Sequence, residues 1–291
     1  MITGELTWQQ FRTLDSIRNL NENQQMAHYH KYLVELSDWI RHQNKGNLMT
    51  QRITCTDGMD IVFLVDNTQS IGPGINAIKA EIASIASAII AESINNYRLG
   101  LVVFDEYNPF ATNNPYLNKP AYTNLPASQK YVNEYIFGDP ELDLNRTQYI
   151  TALEIMSQNN QSSFTSQLNL LNTVSFPLGD GALDPEPSDM GIDRIVNFDI
   201  AGIFRDNVTK LIILFTDMPS SGYDDINDAT DVAFANTLVT NCNAKGIKVM
   251  LMKFDALSYA PLETIATGTG GLISNSLTPA AIISSLQNIC A

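Results

Sequence analysis

Oxygen-bearing side chains alternate in a short stretch that directly follows an apolar segment. The sequence DIVFLVDNTQSIG, residues 60–72, starts as an apolar run and then places an oxygen on every second residue, at Asp66, Thr68 and Ser70. A second apolar segment, KLIILFTDMPSS at 210–221, contains Asp217 just after its apolar part. Carboxylate and hydroxyl oxygens without a soft ligand suit a hard cation such as Mg²⁺, Mn²⁺ or Ca²⁺, and they disfavour zinc. The alternative role for Asp66 and Asp217 is to cap the N-termini of the helices that follow them.

The elements that must position these residues alternate between strand and helix. Continuous apolar runs predict buried strands at 61–66, 98–106, 151–158, 210–217, 247–255 and 270–275, and the helical pattern predicts helices at 74–94 and 278–290. This alternation predicts an α/β fold, a doubly wound and mostly parallel sheet flanked by helices. Ligands of such sheets bind at the carboxyl ends of the strands, and we expect the strands that end at Asp66 and Asp217 to be neighbours where the strand order reverses.

Two regions do not follow the alternation. Residues 1–50 predict an N-terminal helical segment and a linker. Its helical hairpin, at 1–45, carries both tryptophans, Trp8 and Trp39, and is too small to bury them alone. We expect this hairpin to dock on the main domain, on another subunit or on a copy of itself. Residues 51–291 then form the α/β domain. Within that domain, residues 105–150 hold five prolines among many Asn and Tyr residues, which predicts an insertion.

Charge and composition narrow the class of function. The formal net charge is -14, and residues 1–50 contain five basic and five acidic side chains, so the acidity belongs to residues 51–291. Nucleic acid and a bare anionic membrane are therefore disfavoured as partners. The first residues lack the pattern of a signal peptide and no apolar run is long enough for a membrane span, which favours the cytoplasm or a particle assembled there. No His occurs in 51–291, and no nucleophile elbow or phosphate loop is present, so we expect no enzyme activity.

The oxygen-rich segments resemble those of von Willebrand factor A (vWA) domains. DNTQS is similar to the Asp-x-Ser/Thr-x-Ser signature of their metal-ion-dependent adhesion site, FTDMP resembles the segment at their fourth strand, and GDGALDPEPSD at 179–189 resembles their Gly-rich Pro-Glu loop. The resemblance covers roughly residues 52–291. It implies that Asp66, Thr68 and Ser70 bind the metal, with Asp217 acting through water. Glu186 is placed like the Glu of the integrin β version, and the loop offers alternatives for its role: Asp180, Asp184, Ser188 and Asp189.

The same resemblance implies a function and a number of sites. IGPGI after Ser70 lacks the acidic pair that gives integrin β domains an adjacent second cation, so one divalent ion, Mg²⁺ or else Mn²⁺ or Ca²⁺, is expected. The implied function is a protein-binding module for adhesion or assembly, in which the cation captures an Asp or Glu carboxylate of a protein partner. One alternative is a structural component of a larger complex such as a virus particle, with a structural or vestigial metal site. A metal-assisted hydrolase is the least favoured reading.

Two further expectations concern the insertion and the cysteines. In vWA domains the next strand runs antiparallel, so the insertion must lie on the metal side, and partner contacts are expected among its aromatic residues, Tyr107, Phe110, Tyr116 and Tyr122. The alternative is that these rings hold a long loop down. Cys55 and Cys290 flank the domain, and several extracellular vWA domains join such positions by a disulfide. A reducing cytosol would oppose that bond, and Cys242 is expected to be a free buried thiol.

Overall fold

The computed structural model describes residues 14, 18–19, 57–107, 114–134, 147–179, 185–223, 227–254 and 257–274. The chain divides into two compact units, Met1–Ile53 and Thr54–Ala291. Several predictions lie outside the described residues: the helical segment at 1–50, the closing helix at 278–290, Phe110, and the pair Cys55 and Cys290. Cys242 is described, and it is a free and buried cysteine, as predicted. None of the helices in the described ranges combines the length and the apolar character that crossing a membrane requires.

A single mixed sheet organises the described part of the second unit. Its strand order is β3-β4-β2-β1-β5-β6-β7. The neighbours of β1 are β2 and β5, and both pairs are parallel, whereas β4 runs antiparallel to β2 and to β3. The predicted reversal of strand order on either side of β1 is therefore confirmed. The strands are β1 Met59–Asp66, β2 Tyr97–Tyr107, β3 Lys130–Asn133, β4 Thr147–Gln158, β5 Thr209–Thr216, β6 Ile247–Lys253 and β7 Ile273–Ser274.

Helices cover both faces of the sheet, which gives the predicted α/β architecture. Alternate residues of β1 enter two different apolar clusters, one with α1 and α4 and the other with α5, α6 and α7. The buried isoleucines of α1 recur every three or four residues, so they form one face of that helix. The helices are α1 Ile75–Glu92, α2 Pro115–Asn118, α3 Pro120–Thr123, α4 Gln161–Leu168, α5 Ser188–Phe198, α6 Ala229–Lys245 and α7 Ala260–Gly268, with a 3-10 helix at Ala127–Gln129.

The strands around the insertion are longer than the sequence predicted. β2 continues to Tyr107 and β4 already begins at Thr147, so the connection between them is 108–146 rather than 105–150. This connection also contains β3, a four-residue strand that pairs with β4 in antiparallel register. A strand this short has no periodicity that the sequence alone can reveal. The antiparallel direction of β4 brings the connection to the carboxyl end of β1, as expected.

Candidate metal centre

The first oxygen-rich segment and Asp217 meet at the carboxyl ends of β1 and β5. Val65 pairs with Phe215 in parallel register, so the next residues of the two strands end side by side. Neither carboxylate caps a helix, because α1 begins after Gly74 and α6 begins after Asp228. The alternative role of Asp66 and Asp217 as helix caps is therefore wrong.

Hydrogen bonds orient the two hydroxyl groups of this segment. Asp66 Oδ1 accepts from the Thr68 hydroxyl at 2.6 Å and from the Thr68 backbone N–H at 2.8 Å. The Ser70 hydroxyl donates to Asp217 Oδ1 at 3.1 Å. Each hydroxyl can donate to a carboxylate or, across the 3.0 Å between the two oxygens, to the other hydroxyl. Where both donate to carboxylates, lone pairs of both hydroxyl oxygens are available for another ligand.

The spacing of those two oxygens matches a small cation. Thr68 Oγ1 and Ser70 Oγ lie 3.0 Å apart. Two neighbouring ligands in an octahedron with metal–oxygen distances of about 2.0–2.1 Å, the distances typical of Mg²⁺, are about 2.9 Å apart. The longer bonds of Ca²⁺, about 2.3–2.6 Å, would need a spacing of about 3.3–3.7 Å in the same geometry. The two hydroxyls therefore fit an ion of the size of Mg²⁺.

The four residues of the site differ in how far they are buried. Asp66 and Thr68 are buried, whereas Ser70 and Asp217 are half-buried. Burial raises the pKa of Asp66 to about 7, the charge of Asp217 adds to this effect, and the bonds from Thr68 and Thr216 oppose it. Across the described ranges, no three or more His, Cys, Asp or Glu side chains group together to hold a metal. A cation at this edge would therefore depend on the two hydroxyls as well as on carboxylates.

Glu186 reaches the same edge through a backbone bridge. Its N–H donates to the carbonyl of Pro219 and its carbonyl accepts from the N–H of Ser221, both at 2.9 Å. Its side chain is 1% exposed, and Oε2 has no hydrogen-bond partner among the described residues. Burial raises the pKa of Glu186 well above its ordinary value, and the charges of Glu106 and Asp66 contribute. A buried carboxylate oxygen without a partner is a feature that an adjacent cation or water would explain.

The alternatives to Glu186 divide into two groups. Asp180 and Asp184 lie outside the described residues. Ser188 and Asp189 begin α5, and Asp189 Oδ1 accepts from the N–H groups of Met190 at 2.8 Å and Gly222 at 3.1 Å. Asp189 Oδ1 therefore braces the loop after β5, whereas Asp189 Oδ2 and Ser188 Oγ are buried without a hydrogen-bond partner among the described residues, as Glu186 Oε2 is.

Three supporting residues were not identified from the sequence. The Thr216 hydroxyl donates to Asp66 Oδ2 at 3.2 Å, and the Tyr259 hydroxyl donates to the carbonyl of Asp217 at 2.6 Å. Asp105, which is fully buried near the end of β2, accepts from the Asn67 amide at 2.7 Å. Thr216 and Asp105 could have been found as polar residues at predicted strand ends. No local pattern marks Tyr259, because its role depends on the packing of α7 against β6.

The described tyrosines of the insertion are buried. Tyr107, Tyr116 and Tyr122 are 2%, 4% and 7% exposed. Tyr116 stacks on Tyr149 with ring centroids 4.0 Å apart and meets Tyr122 edge-on at 4.7 Å. In this arrangement the rings contact one another and the sheet, so they offer a partner little surface. The expectation of partner contacts at these three residues is corrected accordingly, and the alternative, rings that hold the loop down, describes them.

The strand order and the helices on both faces give the chain a vWA-like α/β fold. No protein-family model matches the chain, and no curated protein sequence matches it. Solved structures similar to it include proximal thread matrix protein 1 from the mussel byssus, at 15% identity over 81% of this chain and 48% of that one, with a TM-score of 0.47. A second structure of the same protein matches at 13% identity, 81% and 47% coverage and a TM-score of 0.46.

A third structure of that mussel protein has zinc in its metal-ion-dependent adhesion site (MIDAS) motif. It matches at 12% identity over 82% of this chain and 47% of that one, with a TM-score of 0.48. The chain spans about half the length of each of these proteins. Similarities at this identity and TM-score carry no conclusion about this chain.

Proposed function

We propose that the chain is a metal-dependent protein-binding module of the vWA type. A divalent cation, Mg²⁺ in the first place, would be held by the hydroxyls of Thr68 and Ser70 and by the carboxylate of Asp66, with Asp217 acting through water and Glu186 as a further candidate. The cation would supply a Lewis-acidic position for a carboxylate of a protein partner. The observation that carries the proposal is the pair of hydroxyl oxygens, 3.0 Å apart, each of which also lies within hydrogen-bond distance of a carboxylate.

The residues of the site have different roles in this proposal. Asp66 and Asp217 accept hydrogen bonds from the Thr68 and Ser70 hydroxyls and thereby make the two hydroxyl oxygens better electron-pair donors to a cation. Thr216 holds the second oxygen of Asp66 in place. The half-buried Ser70 and Asp217 mark the side from which a partner can approach. No step of this mechanism transfers a proton or breaks a bond, so the proposed role is binding rather than catalysis.

Removal of one hydroxyl tests the metal site. Ser70→Ala deletes an oxygen of the site without adding bulk, and we expect the Mg²⁺ and Mn²⁺ affinities measured by isothermal titration calorimetry to fall by about 10-fold or more. The matched control is Ser87→Ala, because Ser87 is exposed on α1 and its hydroxyl contacts only the carbonyl of Ala83 at 2.8 Å. Equal metal affinity in the Ser70 and Ser87 variants would show that the site is wrongly placed.

Water exchange at bound Mn²⁺ tests the capture of a carboxylate. If the cation keeps an open position, Mn²⁺-loaded protein should enhance water proton relaxation, and acetate, the smallest carboxylate, should reduce that enhancement. A buried metal with all positions filled by the protein would give no enhancement and no response to acetate. That second outcome would favour the alternative function, a structural component of a larger assembly such as a virus particle with a purely structural cation.

A further inference from the structure

Asp105 joins three separate segments of the chain at the metal edge. It is fully buried near the end of β2, beside β1, whose Asp66 pairs with Phe104. Its Oδ2 accepts from the Asn67 amide at 2.7 Å and from the Tyr116 hydroxyl at 3.1 Å, and its Oδ1 accepts from the N–H of Glu106 at 2.9 Å. One carboxylate thus links the metal loop to the connection between β2 and β4.

Asn67 connects Asp105 to the candidate metal site, because it lies between Asp66 and Thr68 in the sequence. Its backbone N–H donates to the carbonyl of Phe104 at 3.0 Å, and its carbonyl accepts from Gly179 at 2.7 Å. Its amide donates to Asp105 and also to the carbonyl of Pro177 at 3.0 Å. Four bonds therefore fix the backbone at the point where Asp66 and Thr68 must take up their relative positions.

Tyr116 connects Asp105 to the insertion between β2 and β4. The Asn114 side chain accepts from its N–H at 2.8 Å, and its ring stacks on Tyr149. The position of the Tyr116 hydroxyl is therefore set by the packing of segment 114–134 on the sheet. A shift of this segment would withdraw one of the two donors to Oδ2 of the buried Asp105 carboxylate, and the other donor to that oxygen, the Asn67 amide, would have to compensate.

The Gly-rich loop makes contact with the same carboxylate. A Cβ atom at Gly179 would lie 1.6 Å from Asp105 Oδ1, so only glycine lets the backbone of this loop pass there. The loop that leads to Glu186 and the loop that carries Asp66 therefore meet at one residue.

We propose that Asp105 is a positioning residue of the metal site, and that through it the packing of segment 114–134 and the affinity for the cation control each other. The inference rests on the proposed function, since it assigns a regulation to the same metal site. Binding free energies are reciprocal, so a cation that orders the metal loop must also stabilise the packed form of the segment. A partner that contacts the segment would change metal affinity without touching the cation.

The experiment is a double-mutant cycle on Mg²⁺ affinity. Tyr116→Phe keeps the stacked ring and removes only the hydroxyl, and Asn67→Ala removes the amide at the other end. We expect each single variant to weaken Mg²⁺ binding about fivefold or more. The double variant should lose no more than the larger single loss, because both changes break one chain of bonds. Tyr97→Phe is the matched control: it removes the hydroxyl of another buried tyrosine, at the opposite end of β2, and should leave the affinity unchanged.

A second measurement tests whether bound Mg²⁺ stabilises the packing of segment 114–134. Mg²⁺ should slow hydrogen exchange of the amides of residues 114–123 in the wild-type chain, and Asn67→Ala should abolish that protection. Multiplying losses in the double variant, or an unchanged affinity in a folded Tyr116→Phe chain, would overturn the coupling while leaving the metal site intact. A wild-type chain that binds no Mg²⁺ would overturn the coupling and the proposed function together.

Discussion

Replacement of Asp66 by its uncharged amide should move stability and metal binding in opposite directions. The ordinary carboxyl pKa is 3.8, and burial together with the charge of Asp217 raises that of Asp66 to about 7. Because the folded pKa is above the unfolded one, the free energy of unfolding falls as the pH rises from 3.8 to about 7. A tenfold change in acidity corresponds to about 1.4 kcal/mol, so ionised Asp66 costs the metal-free fold about 4 kcal/mol at pH 8.

Asp66→Asn removes that cost and fits the local hydrogen bonds. The amide oxygen can still accept from Thr68, and the amide nitrogen can donate to Thr216 Oγ1, because the Thr216 hydroxyl can turn to the carbonyl of Met218 at 3.1 Å. Urea unfolding in EDTA should therefore show the variant and the wild type nearly equal at pH 4. At pH 8 the variant should be the more stable by up to about 4 kcal/mol.

Added Mg²⁺ should narrow the stability difference between the two proteins at pH 8. At a concentration 100 times the dissociation constant, the wild type should gain about 2.7 kcal/mol, and Asp66→Asn should gain little. The reasoning would be refuted by an amide variant that is less stable than the wild type in EDTA at pH 8. It would be refuted equally by the same Mg²⁺ stabilisation in both proteins.

Two further substitutions test the surroundings of the site. Burial and the charge of Asp231 raise the pKa of Asp189 from 3.8 to about 7. The free energy of unfolding, measured with urea, should therefore fall less between pH 5 and pH 8 in Asp189→Asn than in the wild type. An equal fall in both proteins would contradict this prediction. Gly179→Ala places a Cβ 1.6 Å from Asp105 Oδ1 and should lower the free energy of unfolding by about 1–3 kcal/mol in EDTA. Gly74→Ala, whose Cβ would meet its nearest neighbour at 3.6 Å, is the control, and equal melting temperatures of the two alanine variants would contradict the steric argument.

The sheet and the first site residues follow from local patterns. β1 and β5 are continuous apolar runs that can only be buried on both faces, and an acidic residue at or just after the end of each run marks the sheet edge. Since parallel neighbours end at the same edge, the meeting of Asp66 with Asp217 needed only the strand order. The sequence alone could not decide whether Asp66 and Asp217 are metal ligands or helix caps, because that depends on the residues at which α1 and α6 begin.

The remainder of the site depends on contacts between distant residues. The tyrosines of the insertion contact Tyr149, which lies on the other side of the connection in β4, and their burial depends on how the connection returns to the sheet. An aromatic loop that packs on itself has the same composition as one that faces a partner. Asp105 was visible only as an acidic residue in a predicted strand, since its importance comes from Asn67, Tyr116 and Gly179 meeting it in space.

Several buried carboxylates repel one another at the sheet edge that carries the candidate metal site, and a bound cation would reduce this repulsion. Asp66, Asp105 and Glu106 are fully buried and Glu186 is 1% exposed, and the charges of the other three contribute to the raised pKa of Glu186. Sequences that fold well avoid such repulsion unless a function requires it. Since a cation bound here would lower this repulsion, part of its binding free energy would be free energy of folding. The same acids that make the metal-free edge less stable would thus make the loaded edge rigid, and a rigid edge can present an open metal position to a partner in one fixed direction.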